Sequence, residues 1–91
     1  EDTEGIRMEL RYLRDTDGRE VDFVVLADRK PLFAVECKSG EQRASPHLQY
    51  FAARTSIPTF YQVHRRQKHY SVSSAIHVLP FSIFCQEVGL I

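Results

Sequence analysis

Residues 20–40 read Glu-Val-Asp-Phe-Val-Val-Leu-Ala-Asp-Arg-Lys-Pro-Leu-Phe-Ala-Val-Glu-Cys-Lys-Ser-Gly, and this stretch decides the fold. Val21 to Leu26 is a near-continuous β-branched and aromatic run, which predicts a strand covered on both faces. Asp28-Arg29-Lys30-Pro31 turns the chain, and Leu32 to Lys38 predicts a second strand, apolar until its last residues. Upstream, Met8 to Arg14 largely alternates apolar and charged residues and predicts a half-buried strand. It leads into turn chemistry at Asp15-Thr16-Asp17-Gly18. Three strands joined by two tight turns make an antiparallel meander.

Downstream, Ser45 suits a helix N-cap and Pro46 the first helical position, where its missing N–H costs nothing. Leu48, Phe51, Ala52 and Thr55 fall at helical spacing and give one buried stripe. Pro58 closes the helix. Thr59 to His64 predicts a fourth strand, parallel to the third across the helical crossover. Short β patterns around Val72 and Ile76-His77-Val78 leave strand or coil open, and Pro80 permits a C-terminal helix over Phe81 to Val88. The expected fold is α/β (α+β), with a central mixed sheet of about four strands. Phe23, Phe33, Phe51, Phe60 and Phe84 are the expected aromatic core.

Composition bounds the reading. Ninety-one residues fit a single domain over 1–91, and 43% hydrophobic with 26% charged residues is ordinary for a globular chain. No apolar run approaches the roughly 18 residues of a membrane helix, and the opening EDTEG is no signal stretch. Cys37 and Cys85 are too few for a disulfide scaffold and read as reduced core residues of a cytoplasmic protein. The net charge of zero hides a split: residues 1–41 hold eleven acids against seven Lys or Arg, while residues 42–91 hold Glu87 against five bases. Such asymmetry suits either nucleic-acid contact or a surface whose halves neutralise each other.

Asp22 stands mid-strand among apolar residues, where an isolated carboxylate is costly without a partner, a metal ion or water. By period-2 alternation Glu36 and Lys38 share a face, while Cys37 points to the opposite core. Asp22, one strand away, can reach the face of Glu36 and Lys38. Two carboxylates and an ammonium at one sheet edge suit Mg²⁺ or Mn²⁺. A simpler arrangement is also open: Glu36 and Lys38 pair at the strand end, and Asp22 is bound by backbone N–H groups. His47, His64, His69 and His77 have no spacing that suggests a metal site. Gln49 on the helix and Ser39 after the strand could face the site or serve only locally. Arg65, Arg66 and Lys68 could grip phosphates, with Tyr61 or Tyr70 nearby for stacking.

Residues 20–25 followed by 33–40 resemble the core of the PD-(D/E)XK nuclease superfamily. More narrowly, they are similar to the nuclease-like C-terminal domain of prokaryotic AAA-type ATPases of unassigned function. The resemblance spans roughly residues 9–88 and includes Ile76-His77-Val78-Leu79-Pro80 with Phe84. It implies a restriction-endonuclease-like core whose first helix is missing, and a C-terminal fragment of a larger ATPase, since no G-x-x-x-x-G-K-[ST] occurs. It further implies Asp22 and Glu36 as metal-binding carboxylates, the Cys37 carbonyl as a further ligand, and Lys38 as the catalytic lysine. Val21 replaces the proline of the superfamily name, and Cys37 an apolar residue. The implied function is Mg²⁺- or Mn²⁺-dependent hydrolysis of DNA. The alternatives are a non-catalytic nucleic-acid- or partner-binding module of the ATPase, or a structural oligomerisation module. A missing layer would expose an apolar face and favour a homodimer.

Overall fold

The computed structural model describes residues 8–14, 18, 20–38 and 43–89. The chain runs β1 (Met8–Arg14), β2 (Glu20–Ala27), β3 (Lys30–Cys37), α1 (Pro46–Arg54), β4 (Phe60–His64), β5 (Tyr70–Ser71), β6 (Ile76–Pro80) and α2 (Phe81–Glu87). Among the described residues one mixed sheet of six strands, in the order β1-β2-β3-β4-β6-β5, replaces the expected four. The meander is antiparallel; β4 runs parallel to β3 across α1, and β6 parallel to β4. The extra strands come from the segment left open between strand and coil. Ile76–Pro80 pairs along the whole of β4, and β5 adds only the pairs Tyr70↔Val78 and Ser71↔His77 at the far edge.

The helices cover opposite faces of the sheet. Under α1, Val21, Val24, Ala34, Leu48, Phe51, Ile57, Phe60 and Ile76 form one core. Under α2, Val35, Val63, Leu79, Phe84 and Cys85 form the other, with Phe33 and Tyr61 packed against it. The start of α1 follows its local chemistry: the Ser45 hydroxyl accepts the His47 N–H at 3.2 Å, and Pro46 occupies the first turn. Thr55 closes the helix by donating its backbone N–H to the Phe51 carbonyl.

Two irregularities depart from strict alternation. Between the pairs Arg11↔Val24 and Leu13↔Val21, the two residues Asp22 and Phe23 oppose the single residue Tyr12, a β-bulge. Val21 and Val24 consequently both join the core under α1. A second shift inserts Leu32 into β3, between Val25↔Phe33 and Leu26↔Pro31. The β2 strand is not covered on both faces as its composition predicts: Phe23 is 40% exposed and Val25 only half-buried. Short α2 sits over β4 and β6, leaving Met8, Leu10, Phe23, Val25 and Leu32 to line an apolar groove of about 440 Å³ on that face. Phe23 therefore belongs to the groove rather than to the aromatic core.

Of the first expected turn only Gly18 lies among the described residues, at φ +85°. The β2–β3 hairpin closes through Asp28 and Arg29 between the pair Ala27↔Lys30, with φ of 51° and 70°. Positive φ at both central residues is the demand of a type I′ turn, for which Asp-Gly is preferred. Arg29 bears the steric cost of that conformation. Arg29→Gly is expected to raise stability by about 0.5–1 kcal/mol after the glycine's own entropy cost, a gain of a few degrees in Tm by thermal unfolding.

Candidate active site

The pairing of β2 with β3 ends at Phe23↔Val35, whereas β3 continues beside β4 through Glu36↔Gln62 and Cys37↔Val63. Beyond Val35 the β2 side of β3 has lost its strand partner. Asp22 supplies the substitute: its Oδ2 accepts the Cys37 N–H at 2.8 Å. This is a charge-assisted bond to a backbone amide, and it accounts for a carboxylate inside an apolar strand. The bulge lets Asp22 occupy the gap where the strands part while Val21 and Val24 stay in the core.

Glu36 is 8% exposed. Its Oε2 lies 3.1 Å from Lys38 Nζ, so the two share a side of the strand end as alternation predicts. Its Oε1 is buried and has no hydrogen-bond partner among the described residues. A buried carboxylate oxygen with open lone pairs is costly and suits a hard cation or a cation-bound water. Glu36 and Lys38 thus pair on one side of the end of β3, and Asp22 reaches the same strand end through the amide and thiol of Cys37. Among the described residues no set of three or more His, Cys, Asp or Glu side chains could hold a metal. A cation here would draw on Asp22, Glu36 and backbone oxygen.

Cys37 departs from the expected core position. It is exposed, because α2 does not reach over the end of β3, and its thiol is free. The thiol pKa is raised, first by partial burial and then by the charges of Asp22 and Glu36, with a hydrogen bond to Asp22 adding to them. Raised above its ordinary value, the group stays a thiol at neutral pH and is a poor nucleophile. Cys85 is buried, as expected.

The next strand anchors both flanking loops through Gln62, which the sequence reading did not single out, and through His64, read there only as a histidine without metal-site spacing. Gln62 is fully buried; its Oε1 accepts the Ser45 N–H at 2.8 Å and its Nε2 donates to the Arg43 carbonyl at 3.1 Å. His64 is 2% exposed; its Nδ1 accepts the Arg66 N–H at 2.9 Å, so the neutral ring carries its proton on Nε2 and donates to the Lys68 carbonyl, also at 2.9 Å. The signal was present as polar residues two apart in an apolar strand, Phe-Tyr-Gln-Val-His. His64 is a loop anchor, while His47, His69 and His77 join no metal cluster among the described residues.

Cys37, Lys38, Val63, His64, Arg65 and Phe81 line a groove of about 380 Å³ at the ends of β3 and β4. Arg65 therefore reaches the site region. Arg66 and Lys68 are exposed on the loop that His64 holds. Gln49 is exposed on α1, in keeping with an ordinary surface glutamine. Tyr61 is not a free stacking surface: it packs edge-on against Phe33 and Phe84, and burial followed by the charge of Glu87 pushes its pKa up. Tyr70 is exposed on β5. Ser39 lies outside the described residues.

A family model matches residues 1–84, a span that takes in both carboxylates, the lysine and the whole sheet. The family is DUF4143, a domain of unknown function. This chain belongs to it. No curated protein and no solved structure matches the chain. Membership of DUF4143 by itself assigns neither chemistry nor partner. No helix among the described residues is long and apolar enough to cross a membrane.

Two outcomes follow from this geometry. Alkylation of Cys37 by iodoacetamide is expected to be slow at about pH 8 and to accelerate severalfold in Asp22→Asn, which removes an adjacent negative charge; equal rates by mass spectrometry would contradict that coupling. Gln62→Leu strands the Ser45 N–H and the Arg43 carbonyl, and is expected to cost about 2 kcal/mol in denaturant unfolding.

Proposed function

We propose that this DUF4143 domain is a PD-(D/E)XK-type nuclease-like module that hydrolyses DNA phosphodiesters with Mg²⁺ or Mn²⁺. The observation that carries the reading is the buried, unpartnered Oε1 of Glu36, held beside Lys38 where Asp22 marks the parting of β2 and β3. Asp22 and Glu36 would hold the cation, with the Cys37 carbonyl as the backbone ligand. The cation, when bound, supplies a more acidic water and neutralises phosphate charge. The residues of the chain do the rest. Lys38, paired with Glu36 but 28% exposed at its side chain, is placed to orient an attacking water or offset developing charge. Arg65 lines the adjoining groove, and Arg66 and Lys68 extend the cationic surface, so that backbone phosphates would be bound with little sequence preference. In this reading the domain belongs to a larger cytoplasmic AAA-type ATPase, and the uncovered apolar face is where a further layer of the same fold would pack.

A second reading rests on a specific observation. Asp22 is already satisfied by the Cys37 amide and Lys38 by Glu36, so the three side chains hold the strand end together without a cation. A module that keeps the fold but binds nucleic acid or a partner without chemistry would look the same.

Calorimetric titration with Mn²⁺ separates the two. Hydrolysis predicts saturable binding that weakens at least about tenfold in Asp22→Asn, together with phosphodiester cleavage lost in Lys38→Ala. Absence of saturable binding, with DNA binding that is salt-sensitive and indifferent to EDTA, would overturn the hydrolytic reading and leave the binding module. In either case Arg65→Ala is expected to lower the salt dependence of DNA binding by about one phosphate contact.

A further inference from the structure

The β1 strand forms one edge of the sheet, and among the described residues only β2 pairs with it. An edge strand presents outward N–H and C=O groups ready to pair with another strand, and native edges are usually blunted by charge, proline or a covering element. The charges on β1 do not blunt it. Met8, Leu10 and Tyr12 are 56%, 63% and 56% exposed, and the first two line the apolar groove. Glu9 and Arg11 stand on the other side of the strand, one negative and one positive, 3.4 Å apart.

In a two-fold symmetric antiparallel pair, opposed residues lie on the same face, so their numbers sum to an even constant. Centring the pair on Leu10 sets Leu10 against the partner's Leu10 and Met8 against the partner's Tyr12, apolar to apolar. It also sets Glu9 against the partner's Arg11 twice over, by symmetry. The neighbouring registers are excluded by like charge: one step in one direction opposes Arg11 to the partner's Arg11, and one step in the other opposes Glu9 to the partner's Glu9. Of these three registers only the one centred on Leu10 sets opposite charges against each other along β1.

We propose that a second copy of this chain pairs with the first along β1, antiparallel and centred on Leu10, joining two six-stranded sheets into one of twelve. The apolar grooves of the two copies then lie side by side on the same face, and Met8, Leu10 and Tyr12 exchange water for their counterparts. Self-complementary charge favours a second copy over an unrelated strand. A single strand-to-strand seam is a small interface, so association is weak and concentration-dependent. It requires neither metal nor nucleic acid.

Sedimentation equilibrium of the chain from about 10 to about 500 μM tests it, with Glu9→Arg, Arg11→Glu and the double exchange Glu9→Arg/Arg11→Glu. The expected result is a monomer–dimer equilibrium that weakens at least about tenfold in each single variant, because like charges then oppose at both symmetric positions. The double exchange restores opposite pairing, and with it association to within about threefold of the parent. The within-strand pair of Glu9 and Arg11 is exposed, so thermal unfolding of the variants is expected to match the parent and serves as the folding control. A monomer throughout, single variants that associate like the parent, or a double exchange that fails to recover would each overturn the proposal.

Discussion

The bond from the Cys37 amide to the Asp22 carboxylate is the constraint on which the site depends. Where two antiparallel strands separate inside a sheet, one loses the strand partners of its outward amides, and those amides take another acceptor. Asp22 takes that amide with a charged acceptor and so lets β3 leave β2 and stay with β4. The bulge at Asp22 and Phe23 makes this compatible with a closed core, because the extra residue keeps Val21 and Val24 both beneath α1. A strand without the bulge would have to choose between burying Val21 and presenting Asp22. The same parting of strands gives the Glu36–Lys38 end of β3 access from the side of β2.

β4 shows how the remaining geometry is held. Gln62 fastens the segment that enters α1, and His64 fastens the loop that carries Arg65, Arg66 and Lys68. Two residues apart, they use the period of a strand to aim at the same end of the molecule. Each makes two bonds to backbone, one donated and one accepted, so neither buried side chain carries an open polar atom of the kind left on Glu36. That contrast is informative. The surrounding polar groups are satisfied by the chain itself, and the open valence falls on one carboxylate oxygen next to a lysine.

Elements governed by local chemistry were legible in the sequence. The cap at Ser45, Pro46 in the first turn, the span of β1 and the parallel crossover to β4 follow from neighbouring residues or from topology rules, and the structure agrees with each. The pairing of Glu36 with Lys38 was equally readable, since alternation along one strand needs no knowledge of its neighbours. What depended on long-range register was not. The bulge opposite Tyr12 and the insertion at Leu32 have no local signature, so residue pattern alone puts Phe23 in the core. Cys37 does lie on the face opposite Glu36, but its exposure depends on where a seven-residue helix ends, a fact of packing rather than of pattern. The strand Tyr70–Ser71 is two residues long, shorter than any periodicity can register.

The coverage of the two faces is unequal, and the inequality has a consequence for the edge. α1 closes its face of the sheet from β2 to β6, whereas α2 closes the region of β4 and β6 and reaches β3 only at Phe33 and Val35. The apolar side chains of β1 and β2 on the α2 face, with Leu32 of β3, therefore lie beyond the cover of α2, and Leu10 at the rim is the most exposed large apolar residue described. A sheet in that condition gains more from extending sideways than a sheet with both faces sealed, because each added strand covers apolar rim as well as pairing backbone. The alternation of Glu9 and Arg11 along that rim then decides between productive pairing and indiscriminate aggregation. The register it favours over its neighbours is two-fold symmetric and self-limiting, since a dimer formed through both β1 edges leaves no further β1 edge to add to.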